Sequence, residues 1–194
     1  MSRDVTQRYE YTLGASQIVI GRFTYGIEKK RILQWNEGAN LFVGSFCSIA
    51  GGGAIYLGGG HRSDWITTFP FGHIFQQELG VPRVPGHPIS NGDVLIGDDV
   101  WMGENATVMS GISIGSGAVI ASNAHVVRSV EPYSIVGGNP ARHIKFRFPD
   151  EIVSRLLKLR WWDLDLQEIR ELAPMLCKSP SIDSLDGLID RYRG

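Results

Sequence analysis

Residues 96–131 read in blocks of six as IGDDVW, MGENAT, VMSGIS, IGSGAV, IASNAH and VVRSVE. The first place of each block is Ile96, Met102, Val108, Ile114, Ile120 or Val126, always large and apolar. The fifth place is Val100, Ala106, Ile112, Ala118, Ala124 or Val130, apolar and mostly small. The fourth place is Asp99, Asn105, Gly111, Gly117, Asn123 or Ser129, and five of these six are residue types that accept positive φ. An amphipathic helix would repeat near 3.6 residues and a half-buried strand at 2, so a strict six fits neither. The three registers together describe a short strand with an inward side chain, a tight corner, and a small residue filling the inside of that corner. Repeated, the unit winds into a triangular prism of parallel strands with one hexapeptide per face and three per coil.

The same pattern extends toward the N-terminus. Val43-Gly44-Ser45-Phe46-Cys47-Ser48 is followed by Ile49-Ala50-Gly51-Gly52-Gly53-Ala54 and Ile55-Tyr56-Leu57, and Ile20-Gly21 marks an earlier unit. Cys47 falls at the small inward place and is expected to be a core thiol. Residues 28–38 break the register and predict a loop or an irregular strand pair. Residues 58–93 break it again, with Gly58-Gly59-Gly60-His61, Phe69-Pro70-Phe71 and prolines at 82, 85 and 88. A loop of that length inside a compact domain is commonly functional, and stacked coils tolerate insertion at a corner. Beyond Pro149 the apolar spacing turns helical over Ile152, Val153, Leu156, Leu157 and Leu159, and a second short helix is expected from Asp165 to Leu176. The expected organisation is a β domain over 1–148 carrying the loop 58–93, then a helical tail over 149–194 that packs on the prism and caps its open end.

A formal charge of −1 on 194 residues, with no long run of one sign, argues against nucleic acid or an anionic membrane as the main partner. No apolar run reaches the roughly 20 residues of a membrane span. Met1 to Glu10 lacks the apolar centre of a signal peptide. The two cysteines, Cys47 and Cys177, have neither metal-ligand spacing nor a disulfide framework. A cytoplasmic setting is expected.

Several stretches together resemble the xenobiotic acetyltransferase branch of the hexapeptide-repeat acyltransferases, the branch of streptogramin and hexapeptide-type chloramphenicol acetyltransferases. They are Val43 to Ala50, the His61-Arg62-Ser63-Asp64 loop with Phe69-Pro70-Phe71, Ile96 to Gly103, Gly137-Gly138-Asn139-Pro140-Ala141, and Trp161-Trp162. The resemblance covers roughly residues 40 to 163. It implies a left-handed parallel β-helix, acetyl-coenzyme A as cosubstrate with no metal, and a homotrimer whose sites lie between subunits. One departure stands out. The family's Asn-Gly-Ala-Asn-like run before the histidine is replaced here by Gly58-Gly59-Gly60, so an asparagine contact to the acceptor is missing.

Acetyl transfer from a thioester to a hydroxyl needs a base of near-neutral pKa, and histidine supplies one. The resemblance implies that His61 is that base. Asp64 either orients the imidazole, contacts the acceptor, or only stabilises the loop. Trp65 and Phe71, with Phe69, offer an apolar wall for the acceptor or an anchor for the loop. Trp101 is similar to the family tryptophan beside the coenzyme arm. Gly103, Ala121 and Ser122 suit a groove for that arm, although repeat geometry alone also selects small residues. Arg142 and Lys145, with Arg147, supply cations where the family binds the nucleotide phosphates. The acceptor is expected to be a hydroxyl of an antibiotic-like small molecule. A sugar or polysaccharide acceptor is the second reading. A zinc-bearing hydratase using His61, His73 and His87, or a non-catalytic binding prism, is the third.

Overall fold

The computed structural model describes residues 4–194, so the first three residues of the Met1 to Glu10 segment and of the 1–148 domain lie outside the described residues. Short strands build three sheets. Ser16–Ile20, Leu41–Val43, Val94–Ile96 and Ser113–Ile114 run parallel in the first. Ser48–Ile49, Trp101–Met102, Val119–Ile120 and Ser134–Gly137 run parallel in the second. Ile32–Leu33, Ala54–Tyr56, Thr107–Val108 and His125–Val126 run parallel in the third. From Leu41–Val43 to His125–Val126, successive strands in sequence visit the three sheets in turn. Leu95 faces Ser113, Trp101 faces Val119 and Thr107 faces His125, a spacing of 18 residues on each face. Three hexapeptides therefore close one coil.

The periodic positions are the core. Ile96, Met102, Val108, Ile114, Ile120 and Val126 are all buried, and so are Val100, Ala106, Ile112, Ala118, Ala124 and Val130. Each large member removed from water contributes about 1.5–3 kcal/mol. Cys47 lies among them, and burial above all pushes its thiol up to about 12. The corner residues behave as their types demand, with φ of 55° at Asp99, 60° at Asn105, 75° at Gly111, 72° at Gly117 and 61° at Asn123.

The corner between the first and second sheets is different. Its column holds Phe23, Phe46 and Tyr133 at φ of 58°, 59° and 56° alongside Asp99 and Gly117. Left-handed backbone at such residues costs about 1–2 kcal/mol each. Their rings offset it by docking the C-terminal tail. Phe46 packs on Phe23 at 5.0 Å and on Trp161 at 4.7 Å, and Tyr133 lies inside a second core with Ile152, Leu156, Leu159, Leu172 and Leu185. The tail comprises helices Asp150–Leu159, Leu166–Leu176 and Ile182–Arg193, the last two opened by capping boxes at Asp165/Glu168 and Ser181/Ser184. Arg22 donates to the carbonyls of Trp162 (2.9 Å) and Leu164. Arg147 donates to the Gly117 carbonyl at 2.7 Å and meets the Asp99 carboxylate at 3.5 Å.

The tail thus runs along one edge of the prism, where the sequence pattern suggested a cap on the open end. At that end the edge of the second sheet is covered by Arg142–Phe146, which returns antiparallel against Ser134–Gly137. At the other end Tyr9–Leu13 pairs antiparallel with Ser16–Ile20. Both additions satisfy strand edges that the coil alone would leave open.

The long excursion leaves at the corner between the third and first sheets. Leu41 faces Val94 and Ala54 faces Thr107, a spacing of 53 where 18 is the rule, so 35 residues depart and return without shifting the register. One short helix, Gln76–Leu79, lies within it.

Candidate functional site

The legs of the excursion are joined at their base. The Gly60 N–H donates to the Ile89 carbonyl at 2.9 Å, and the Ile89 N–H donates to the Gly60 carbonyl at 2.8 Å. The Ser90 hydroxyl donates to the Leu57 carbonyl at 2.5 Å. The Gly58-Gly59-Gly60 run has a steric reason here. A Cβ at Gly58 would enter the Glu37 carboxylate, and one at Gly59, whose φ is 78°, would enter the Trp35 indole. Glu37 accepts from the Trp35 N–H at 2.7 Å and from the Gly59 N–H, while the Trp35 ring stacks on Tyr56 at 6.3 Å.

His61 follows this run directly and is exposed. Its Nδ1 stands 2.7 Å from the Thr68 carbonyl oxygen. A carbonyl has no proton to give, so Nδ1 carries the hydrogen, and in the neutral imidazole the lone pair is then on Nε2. Asp64 does not meet the imidazole. Its carboxylate is held by Arg62, with Oδ1 at 2.6 Å from Nε and Oδ2 against Nη2. The Arg62 hydrogen bond draws the Asp64 carboxyl down to about 2. Arg62 lies 5.2 Å from the Trp65 ring centroid. Trp65 meets the ring of His87 at 5.0 Å, and His87 meets that of His61 at 5.4 Å, both edge to face. Phe69 and Phe71 pair at 4.8 Å and are exposed. His61, Trp65 and the Arg62–Asp64 pair therefore form one cluster. Among the described residues no three His, Cys, Asp or Glu side chains converge as a metal-binding group.

The second group lies on the outer face of the second sheet. Trp101 is 56 % exposed there. Pairing runs from Trp101 to Val119 to Ile135 to Lys145, so these residues form one row across four strands. Strand spacing makes the row about 14 Å long. Gly103, Ala121 and Ser122 share the adjacent corner. A Cβ on Gly103 would come 2.6 Å from the Ser122 nitrogen, so coil stacking by itself requires glycine at that place. Arg142 and Lys145 lie in the exposed strand Arg142–Phe146, and neither forms an ion pair among the described residues. Arg147, by contrast, is engaged by Asp99 in docking the tail.

Within one chain the two groups stay apart. The histidine cluster rises from the corner between the third and first sheets, and the Trp101–Lys145 row faces outward from the second. Sequence reading named His61, Trp65 and Asp64 but missed the Thr68 carbonyl, which is backbone and leaves no residue-type signal. It weighed His87 as a ligand in the zinc reading. In the structure His87 is buried.

Comparison with known proteins agrees with this architecture. The model of the bacterial transferase hexapeptide (six repeats) matches residues 93–128. A chloramphenicol acetyltransferase of Escherichia coli is 48 % identical over 156 residues, covering 79 % of this chain and 72 % of that protein. A probable macrolide acetyltransferase of Lysinibacillus sphaericus is 46 % identical, covering 76 % and 83 %. A virginiamycin A acetyltransferase of Staphylococcus aureus is 42 % identical, covering 85 % and 79 %. With this likeness spread over most of its length, the chain belongs to the hexapeptide-repeat acyltransferases, in the branch of the chloramphenicol and virginiamycin acetyltransferases, and is an acyltransferase.

Proposed function

We propose that this chain, a left-handed coil assembled as a homotrimer in the cytoplasm, transfers an acetyl group from acetyl-coenzyme A to a hydroxyl of an antibiotic-like small molecule, with His61 as general base. One observation carries the reading. The Thr68 carbonyl fixes the proton on Nδ1 of His61 and so presents Nε2 as a lone pair at an exposed position. Relatives named for chloramphenicol, macrolides and virginiamycin A support the acceptor class.

Acetyl-coenzyme A, when bound, supplies an activated thioester. The exposed Trp101 and the small residues Gly103, Ala121 and Ser122 fit its slender arm, and the unpaired cations Arg142 and Lys145 fit its phosphates. His61 takes the acceptor proton on Nε2 as the acceptor oxygen attacks the thioester carbonyl, then returns that proton to the leaving sulfur. The Thr68 carbonyl faces the N–H of the transient imidazolium and stabilises it. Arg62 sits beside the base, and Asp64 neutralises its charge. A lone cation at that place would oppose protonation of His61. Trp65 and Phe71 form the wall of the acceptor pocket. Separation of the two groups within one chain supports a site completed by the neighbouring subunit.

The test is thiol release from acetyl-coenzyme A in the presence of chloramphenicol or a streptogramin. His61→Ala is expected to lower kcat by about 10²–10⁴-fold while coenzyme affinity and Tm stay near wild type. Retained turnover would remove His61 from the role.

A further inference from the structure

The joined legs of the loop place two histidines face to edge. His61 follows Gly60 on one leg, and His87 precedes Pro88 and Ile89 on the other. His87 is only 7 % exposed, wedged between the rings of His61 and Trp65. Among the described residues neither of its ring nitrogens has a hydrogen-bond partner. Buried polar groups are nearly always paired, so an imidazole left in this state calls for a reason.

We propose that His87 is a positioning residue for His61, an uncharged ring that holds the base from the opposite leg and that, on protonation, parts the legs and disarms the site. The inference rests on the reading of His61 as base. An imidazolium presents two N–H donors, and no group among the described residues accepts them. The titratable and charged groups facing His87 are His61 and Arg62 from the first leg and His73 from the middle of the loop, all of cationic sign. Asp64 is turned to Arg62. Burial first, and then these neighbours, push the His87 pKa below its usual value. A proton can settle on His87 only if water reaches the ring, and water reaches it only if the Gly60–Ile89 pair opens. His61, next in chain to Gly60, then leaves the Thr68 carbonyl.

Two measurements on the full chain test this. The first is hydrogen-exchange protection of the Gly60 and Ile89 amides against pH, corrected for intrinsic exchange, with no acetyl donor present. Wild type is expected to lose protection by about tenfold between pH 7 and pH 5. His87→Phe keeps a ring in the contact without a titrating nitrogen, and its protection is expected to stay constant, with His87→Gln as the second variant should Phe disturb folding. The second is the acid limb of log kcat/KM. Protons on both His61 and His87 steepen the acid limb beyond the slope of one that His61 alone gives, and His87→Phe returns it to about one. His87→Ala, lacking the ring, lowers kcat about tenfold or more with KM for acetyl-coenzyme A unchanged. Equal protection in wild type and His87→Phe, or an unchanged acid slope, overturns the proposal. Failure of the base assignment reads differently, as turnover retained in His61→Ala with the exchange result intact.

Discussion

Gly59→Ala separates the backbone from the packing at the root of the loop that carries His61. Gly59 has a φ of 78°, and a Cβ there would occupy the indole of Trp35, which rests on Tyr56. Left-handed backbone at alanine costs about 1–2 kcal/mol. Displacing Trp35 from Tyr56 forfeits about 0.5–1.5 kcal/mol more. The expected loss is about 1.5–3.5 kcal/mol, or about 3–14 °C in Tm at fixed protein concentration for a chain of this size. Gly80→Ala is the control. Its φ is 64°, but nothing lies within 4 Å of the added Cβ, so only the backbone cost of about 1–2 kcal/mol remains. In a Trp35→Ala background, Gly59→Ala should cost no more than Gly80→Ala does, which a double-mutant cycle in urea measures. Equal losses for Gly59→Ala and Gly80→Ala in the wild-type background, or an undiminished cost once Trp35 is gone, would refute the packing argument.

Further expectations concern the groove, the core and the tail. Lys145→Ala should weaken coenzyme A more than dephospho-coenzyme A by calorimetry if this cation meets the 3′-phosphate; equal weakening counts against that contact. Ile120→Ala, at a fully buried inward position, should lower stability by about 2–5 kcal/mol in denaturant titration, whereas a cost under about 1 kcal/mol would contradict the core assignment. Native protein should expose one thiol to a maleimide, Cys177, and unfolded protein two, because Cys47 is buried with its thiol held protonated. Burial above all raises the Asp99 carboxyl above its usual range, with Arg147 opposing. The folded chain then keeps that proton to higher pH than the unfolded one, so the stability this group gives falls as pH rises through the window. Asp99→Asn suits the positive φ and should gain on wild type as pH rises from about 4 to 7; a pH-independent difference would sink the assignment.

The coil was legible because its constraints are local and repeat. Ile96 through Val126 mark the inside, and Asp99, Asn105, Gly111, Gly117 and Asn123 mark the corners, each by residue type. The antiparallel strands Tyr9–Leu13 and Arg142–Phe146 were not, because they obey no hexad and are fixed by the edges they cover. The placement of the tail was hidden for a related reason. Phe23, Phe46 and Tyr133 break the corner rule, and only their contacts with Trp161 and the helices show why. At the site, His61 and Trp65 could be named from their loop. The carbonyl that orients His61 and the burial of His87 depend on how Gly60 meets Ile89, a pairing of backbone groups 29 residues apart (60 to 89).

The decisive measurement is the structure of the coenzyme A complex. In it, Nε2 of His61 is expected to face the coenzyme sulfur lying along a neighbouring chain's Trp101–Lys145 row, with room between them for one hydroxyl oxygen about 3 Å from the imidazole. A coenzyme bound elsewhere, or a His61 ring turned to bulk water in every subunit, would contradict it.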